Sequence, residues 1–243
     1  MASVEYRVNP LTSRPAISAK AVIFDMDGVI VDSEPRHERA FFEVARELGY
    51  ENPGLRFADY IGRSDKELWI DFIARHSPTQ SLEDLLAMKR ERVVEIIRRE
   101  QPLFNGLVPL VHNLAAYYRL AVASGSERLV IEEVLNLEGL HRFFPVVVSG
   151  SEVLRGKPAP DIFLRAAELL GVVPTDCCVV EDSKPGLAAA LSAGMQVIAI
   201  TNTHPADELR PATFVVSTYS EIEQLLARSQ AQSSNFNASK SAS

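Results

Sequence analysis

The chain has 243 residues, 47% of them hydrophobic and 23% charged, which is length and apolar content enough to bury a substantial core without disulfides or other staples. Its formal net charge of -7 excludes nucleic acid as a general partner, because phosphate backbones are bound by clustered Lys and Arg. The longest apolar stretch, Val108 to Val122, is broken by His112, Asn113 and Arg119, so nothing reaches the roughly 18 to 20 uninterrupted apolar residues that a membrane span requires.

Residues 1–19 lack periodicity, carry Pro10 and Pro15, and show neither a secretory h-region nor a strong transit-peptide composition; they read as a flexible segment of a cytoplasmic protein. Ala21 to Phe24 is a short, wholly apolar run, as expected of a strand buried on both faces, and it ends at Asp25-Met26-Asp27-Gly28. Apolar residues at three- and four-residue spacing then predict helices at Pro35 to Leu48, Asp65 to His76 and Leu82 to Arg99. Further strands are predicted at Leu120 to Ala123, Val146 to Ser149, Cys177 to Val180, Val197 to Ile200 and Phe214 to Val216. Helices at Ser126 to Leu137, Pro160 to Leu170, Pro185 to Ser192 and Tyr219 to Leu226 separate and follow them, with Gly139, Gly171 and Gly194 placed as stops. Residues 229–243, mostly Ser, Gln, Asn and Ala, read as a flexible tail. The only cysteines, Cys177 and Cys178, are neighbours in an apolar run and read as core thiols of a reducing compartment.

Strands alternating with helices predict an α/β protein, a Rossmann-like doubly wound parallel sheet. About ninety residues separate the first strand from the second, where a crossover needs only about thirty. The excess is helical, so a small all-helical cap, residues 33–104, is inserted into a core formed by residues 20–32 and 105–228.

In an open parallel sheet the ligand lies beyond the carboxyl ends of the strands. Those positions hold Asp25 and Asp27, then Ser124 and Ser126, then Glu181 and Asp182, with Lys157 in a Gly-Lys-Pro loop before a helix. Period-two spacing sends the Asp25 and Asp27 side chains to one side of an extended segment. Carboxylates gathered in one cleft repel one another unless a cation offsets them, and hard oxygen ligands select Mg2+. With the cation present a phosphate dianion can approach, while Lys157 and the Ser124 hydroxyl supply charge and a hydrogen bond. Singly, each residue has a plainer reading: Asp-x-Asp as a turn, Ser124 and Ser126 as helix caps, Lys157 as a solvated lysine, Glu181 and Asp182 as charges at a helix N-terminus.

Asp25 to Ser33 (DMDGVIVDS) resembles the first motif of the haloacid dehalogenase-like superfamily. Ser124, Lys157 and Glu181-Asp182 are similar to its second, third and fourth motifs, in the same order and across residues 21–200. The resemblance implies an aspartyl-phosphate mechanism: Asp25 as nucleophile, Asp27 as general acid and base, and Mg2+ held by Asp25, the Asp27 main-chain carbonyl and Asp182, with Glu181 assisting. The insertion resembles the helical cap of the subgroup containing β-phosphoglucomutase, phosphoglycolate phosphatase and small sugar-phosphate phosphatases. Within it His37, Arg63 and Lys89 resemble substrate-side residues, and Arg63 is preferred because a guanidinium suits an anionic or polyhydroxyl leaving group. Against this, His37 also suits an exposed helix position, Arg63 a turn, and Lys89 a solvated face running to Arg92. An acid at position 27 excludes the dehalogenase and phosphonate-cleaving relatives. The sequence thus points to a phosphatase of a small phosphorylated metabolite, with a phosphosugar mutase or a non-catalytic phosphometabolite-binding protein as alternatives.

Overall fold

The computed structural model describes residues 17–60 and 65–227. Six strands, β1 (Ala21–Phe24), β2 (Arg119–Ser124), β3 (Val146–Ser149), β4 (Cys177–Glu181), β5 (Gln196–Ile200) and β6 (Phe214–Val216), form one parallel sheet in the order β3-β2-β1-β4-β5-β6. The helices are α1 (Glu34–Glu47), α2 (Asp65–His76), α3 (Leu82–Glu100), α4 (Leu107–Ala115), α5 (Arg128–Asn136), α6 (Asp161–Leu170), α7 (Lys184–Ser192) and α8 over residues 219–227. Both sheet faces are covered, and this is why the strands are apolar throughout rather than alternating with polar residues. Val22, Phe24, Leu120, Val122, Cys178, Val180, Ile198 and Ile200 share one core with α4, α5 and α8. The opposite face, where Ala21, Ala121, Ala123 and Ala199 leave room for close helix approach, packs on α6 and α7. The doubly wound α/β sheet expected from the sequence is therefore the observed one.

Three local readings differ. Helix α4 is not among the predicted elements, because Val108 to Val122 reads as one apolar run; its first part is helical, with Leu107, Leu110, Val111 and Leu114 buried at helical spacing, and its end is β2. Helix α5 starts at Arg128 rather than Ser126. Ile17, within the N-terminal stretch that reads as flexible, is buried against the α4-side core; residues 1–16 and 228–243 lie outside the described residues.

Between β1 and α4 the chain forms α1, a short 3-10 turn at Phe57–Tyr60, α2 and α3, with a separate aromatic core. Trp69 meets Phe41 and Phe72 edge-on, each at 5.1 Å between ring centroids, and Phe41 meets Phe72 at 6.2 Å. Each such pair contributes about 0.5–1.5 kcal/mol beyond area burial. A reciprocal cap starts α3: Ser81 Oγ accepts from Asp84 N at 3.1 Å, and Asp84 Oδ2 accepts from Ser81 N at 3.0 Å. Helix α3 is shared between two cores, since Leu85 belongs to the aromatic one while Val93, Ile96 and Ile97 join the α4-side core beside α5. Ion pairs Arg90–Glu127 (2.7 Å) and Arg98–Glu133 (2.6 Å) flank that contact. The chain leaves and re-enters the sheet side by side, with Asp32 N donating to Pro102 O at 2.9 Å and Phe104 N to Ile30 O at 3.3 Å.

The sequence has a single tryptophan, Trp69, so its fluorescence reports on the aromatic core. Phe41→Ala is expected to destabilise that core by about 3–5 kcal/mol, read as a lower urea midpoint of the fluorescence transition; an unchanged midpoint would mean that the ring cluster does not hold the helices together.

Candidate active site

Parallel register places Phe24 opposite Val122 on one side and Val180 on the other, so the residues that follow β1 emerge between the ends of β2 and β4. Asp25 N donates to Val180 O at 2.9 Å, which fixes the start of the loop against β4. Strand β1 ends at Phe24. Beyond it the Met26 carbonyl accepts from three successive amides, those of Val29, Ile30 and Val31, and closes a tight turn. The two aspartates take different partners and serve adjacent compartments.

The first compartment holds Asp25, Glu181, Asp182 and Lys157. The three acids are 6%, 0% and 3% exposed, and each offers a carboxylate oxygen within 4.8 Å of the others. Lys157 Nζ lies 2.7 Å from both Asp25 Oδ1 and Glu181 Oε1. Glu181 Oε2 accepts from Asp182 N (2.8 Å), Ser183 N (2.7 Å) and Ser183 Oγ (2.9 Å), so its carboxylate is committed on both oxygens. Space for it comes from Gly186, where a Cβ would lie 1.5 Å from Glu181 Oε1. Gly28, at φ +77°, plays the same part for Asp182, whose Oδ2 would lie 1.9 Å from an added Cβ.

Burial is the main force on these groups. It pushes Asp25 up to about 7, with Lys157 pulling back and Glu181 and Asp27 adding to the rise. Burial together with Glu181 and Asp25 pushes Asp182 up to about 8. Burial alone would lower Lys157, but Asp25 and Glu181 hold its ammonium above the ordinary lysine range. Three acids against one base leave an excess of negative charge that a divalent cation would neutralise, and the donors are the hard oxygens that such a cation prefers.

The second compartment is built on Asp27. Its Oδ1 accepts from Ser33 Oγ at 2.5 Å, and its Oδ2 accepts from Ser124 Oγ at 3.0 Å and Ser126 Oγ at 2.7 Å. Ser124 and Ser126 are therefore not helix caps; the residue before α5 is Glu127, which makes no side-chain cap bond. On the insertion side His37 Nε2 stands 3.9 Å from Asp27 Oδ1. Lys89 Nζ donates to His37 Nδ1 at 3.1 Å and pairs with Asp65. Lys89 is fully buried, 5.6 Å above the Phe57 ring, which corrects its reading as part of a solvated face. Burial and the Lys89 charge lower the His37 pKa. Glu34, in the first turn of α1, is pushed up to about 7 by burial and by Asp27. Arg63 lies outside the described residues.

The structure thus brings together Asp25, Asp27, Ser124, Ser126, Lys157, Glu181 and Asp182, and draws His37 and Lys89 to the Asp27 side. Ser33, Asn202 and Thr203 join them without having stood out in the sequence. Thr203 Oγ1 donates to Asp182 Oδ2, and Asn202 Nδ2 donates to Gly28 O at 2.7 Å. Both follow directly on β5, so the strand-end rule applied to every strand finds them.

The family model for haloacid dehalogenase-like hydrolase matches residues 19–194. The chain is 35% identical over 181 residues to the fructose-1-phosphate phosphatase YqaB of Escherichia coli, covering 73% of this chain and 94% of that one. It is 32% identical over 182 residues to the phosphorylated carbohydrates phosphatase of Thermotoga maritima, covering 74% and 83%. The crystal structure of CbbY from Rhodobacter sphaeroides in complex with xylulose-(1,5)bisphosphate superposes with a TM-score of 0.71 at 26% identity, covering 84% of this chain and 96% of that one. With four motifs in order at the strand ends of a doubly wound sheet, the chain belongs to the haloacid dehalogenase-like hydrolases, in the subgroup of sugar-phosphate phosphatases and β-phosphoglucomutases, and is a phosphoric monoester hydrolase.

Proposed function

We propose that the protein is a Mg2+-dependent phosphatase of a small phosphorylated metabolite of the sugar-phosphate class, acting through an aspartyl-phosphate on Asp25. The observation that carries this reading is the division of labour between the two compartments: a buried carboxylate cluster around Asp25, and a separately held acid, Asp27, within reach of the same cleft. Asp25, the Asp27 main-chain carbonyl and Asp182 would hold the Mg2+, whose charge lets a phosphate dianion enter a site that otherwise repels it. Glu181, already saturated by Lys157 and three donors from residues 182 and 183, suits the anchor of Lys157 better than a direct ligand.

In the first step Asp25 Oδ attacks phosphorus and the bond to the leaving oxygen breaks, while Asp27 gives that oxygen its proton. Lys157 and the Ser124 hydroxyl offset charge on the phosphoryl oxygens. In the second step Asp27, now ionised, takes a proton from water, which attacks phosphorus, releases phosphate and regenerates Asp25. The hydroxyls of Ser33 and Ser126 aim Asp27 in both steps, while the single proton of Ser124 turns from Asp27 Oδ2 to the phosphoryl group when that is bound.

We read residues 33–104 as a cap over this cleft and assign His37, Lys89 and Arg63 to recognition of the leaving group, Lys89 acting through His37. The substrate class rests on the names of the relatives, which act on fructose 1-phosphate and phosphorylated carbohydrates. A cytoplasmic setting agrees with the free, buried Cys177 and Cys178; among the described residues no helix is long and apolar enough to cross a membrane.

Incubation with Mg2+ and a panel of sugar phosphates is expected to release free phosphate; isomerised sugar in its place would identify a mutase, and silence across the panel a binding protein. Asp25→Asn is expected to lower turnover at least about a thousandfold with an unchanged far-UV circular dichroism spectrum, and retained turnover would remove Asp25 as nucleophile. Asp182→Ala is expected to raise the Mg2+ concentration for half-maximal activity at least about tenfold; an unchanged requirement would remove it as a ligand. The pH behaviour follows from the raised carboxylates. Asp25 and Asp182 bind protons more tightly folded than unfolded, so without metal the fold loses stability as pH rises from about 4 through about 7 to 8. Added Mg2+ is therefore expected to raise the melting temperature more at pH 8 than at pH 5.5, and an equal rise at both would count against a cation at these acids.

A further inference from the structure

The turn that follows Asp27 is closed by two residues from far along the chain. Within the turn, Met26 O accepts from Val29, Ile30 and Val31 N at 3.2, 2.7 and 3.1 Å, and Gly28 N donates to Val31 O at 2.9 Å. The Gly28 and Val29 carbonyls point out of it. Gly28 O accepts from Asn202 Nδ2 at 2.7 Å, and Val29 O accepts from Tyr219 Oη at 2.5 Å. Asn202 Nδ2 also donates to Tyr219 Oη at 3.0 Å, so both amide protons of Asn202 and the one hydroxyl proton of Tyr219 are committed to this relay. Tyr219 is 7% exposed and stacks at 6.3 Å on Phe104, where the chain re-enters the sheet.

The next residue, Thr203, makes the second connection. Its hydroxyl donates to Asp182 Oδ2, with His204 Nδ1 at 2.9 Å on its other side. The absent side chain of Gly28 is what lets this pair sit against the turn: a Cβ there would lie 1.9 Å from Asp182 Oδ2 and 2.9 Å from the Thr203 methyl. Adjacent residues of one loop therefore grip the Asp27–Gly28 turn and the Asp182 carboxylate, and a single peptide link fixes the spacing between the two grips.

We propose that Asn202, Thr203 and Tyr219 are positioning residues that set the distance between the Asp27–Gly28 turn and Asp182, and thereby the cation affinity of the site. This rests on the reading of the Asp27 carbonyl and Asp182 as cation ligands. A purely structural role is the competing account, in which Tyr219 only staples α8 to the core and its loss lowers stability alone. Groups that orient ligands act on affinity itself, by about 10- to 100-fold.

The test is Mg2+ titration by calorimetry of the metal-free, full-length protein, with melting temperature recorded alongside. Tyr219→Phe and Thr203→Val are expected to weaken binding about tenfold or more, and Thr203→Ser, which keeps the hydroxyl, to restore most of it. Thr203 is exposed, so its two variants carry the comparison even where Tyr219→Phe melts early. Wild-type affinity in both Tyr219→Phe and Thr203→Val, with only the melting temperature lowered, would overturn the positioning role and leave the ligand assignment standing. Absence of cation binding by the wild type would overturn both.

Discussion

Asp25, Glu181 and Asp182 share a volume from which water is nearly excluded, and the repulsion among them constrains the rest of the site. Two unit charges 4.8 Å apart at an effective dielectric constant of about 20 repel by roughly 3 kcal/mol. One ammonium, on Lys157, offsets part of this by touching two of the acids at once. Burial first, and the remaining repulsion with it, raises the proton affinity of Asp25 and Asp182, a demand for positive charge that protons meet when no metal does. A site of this kind is costly to fold around, and its three acids could hold a metal ion, as the proposed function requires.

The sheet meets this demand through strand order. With β1 between β2 and β4, the loops after these three adjacent strands bring acids and hydroxyls into one space, and the connection after β3, the next strand along, brings Lys157. Each side chain is then held by local means. Glu181 is locked by amides of its own loop and by the gap at Gly186, Asp182 by Thr203 and the gap at Gly28, and Asp27 by three hydroxyls drawn from two different parts of the chain. Rigid placement of this kind is what orientation-dependent catalysis requires.

Much of this arrangement is legible in the amino-acid sequence. Continuous apolar runs such as Cys177 to Val180 mark strands buried on both faces, and the residues just past them are the ones that converge. What the sequence does not carry is the partner of each group. Asp25 and Asp27 are matched by their spacing, yet one pairs with Lys157 and the other with three serine hydroxyls. Lys89 is indistinguishable by composition from the charged residues beside it, since its burial depends on Asp65 and His37 arriving from other helices. Asn202 is within reach of the strand-end rule, whereas Tyr219, beyond β6 and 190 residues from its partner Val29, is not.

Besides the packing of α3 on α5, the two halves of the molecule meet at Asp27. Helix α1 begins at Glu34, one residue after Ser33, whose hydroxyl holds Asp27 Oδ1, and His37 one turn later faces the same oxygen. Behind His37 stands Lys89 of α3, whose other end packs on α5 and pairs with Glu133. Any rotation of the helical insertion about its paired entry and exit strands must carry Ser33 and His37 with it, and so must change what Asp27 is bonded to. The core side of the same carboxylate, Ser124 and Ser126, is fixed to β2 and does not follow. Asp27 therefore has one oxygen tied to the sheet side and the other to the helical insertion, the placement that the proposed acid and base role would use.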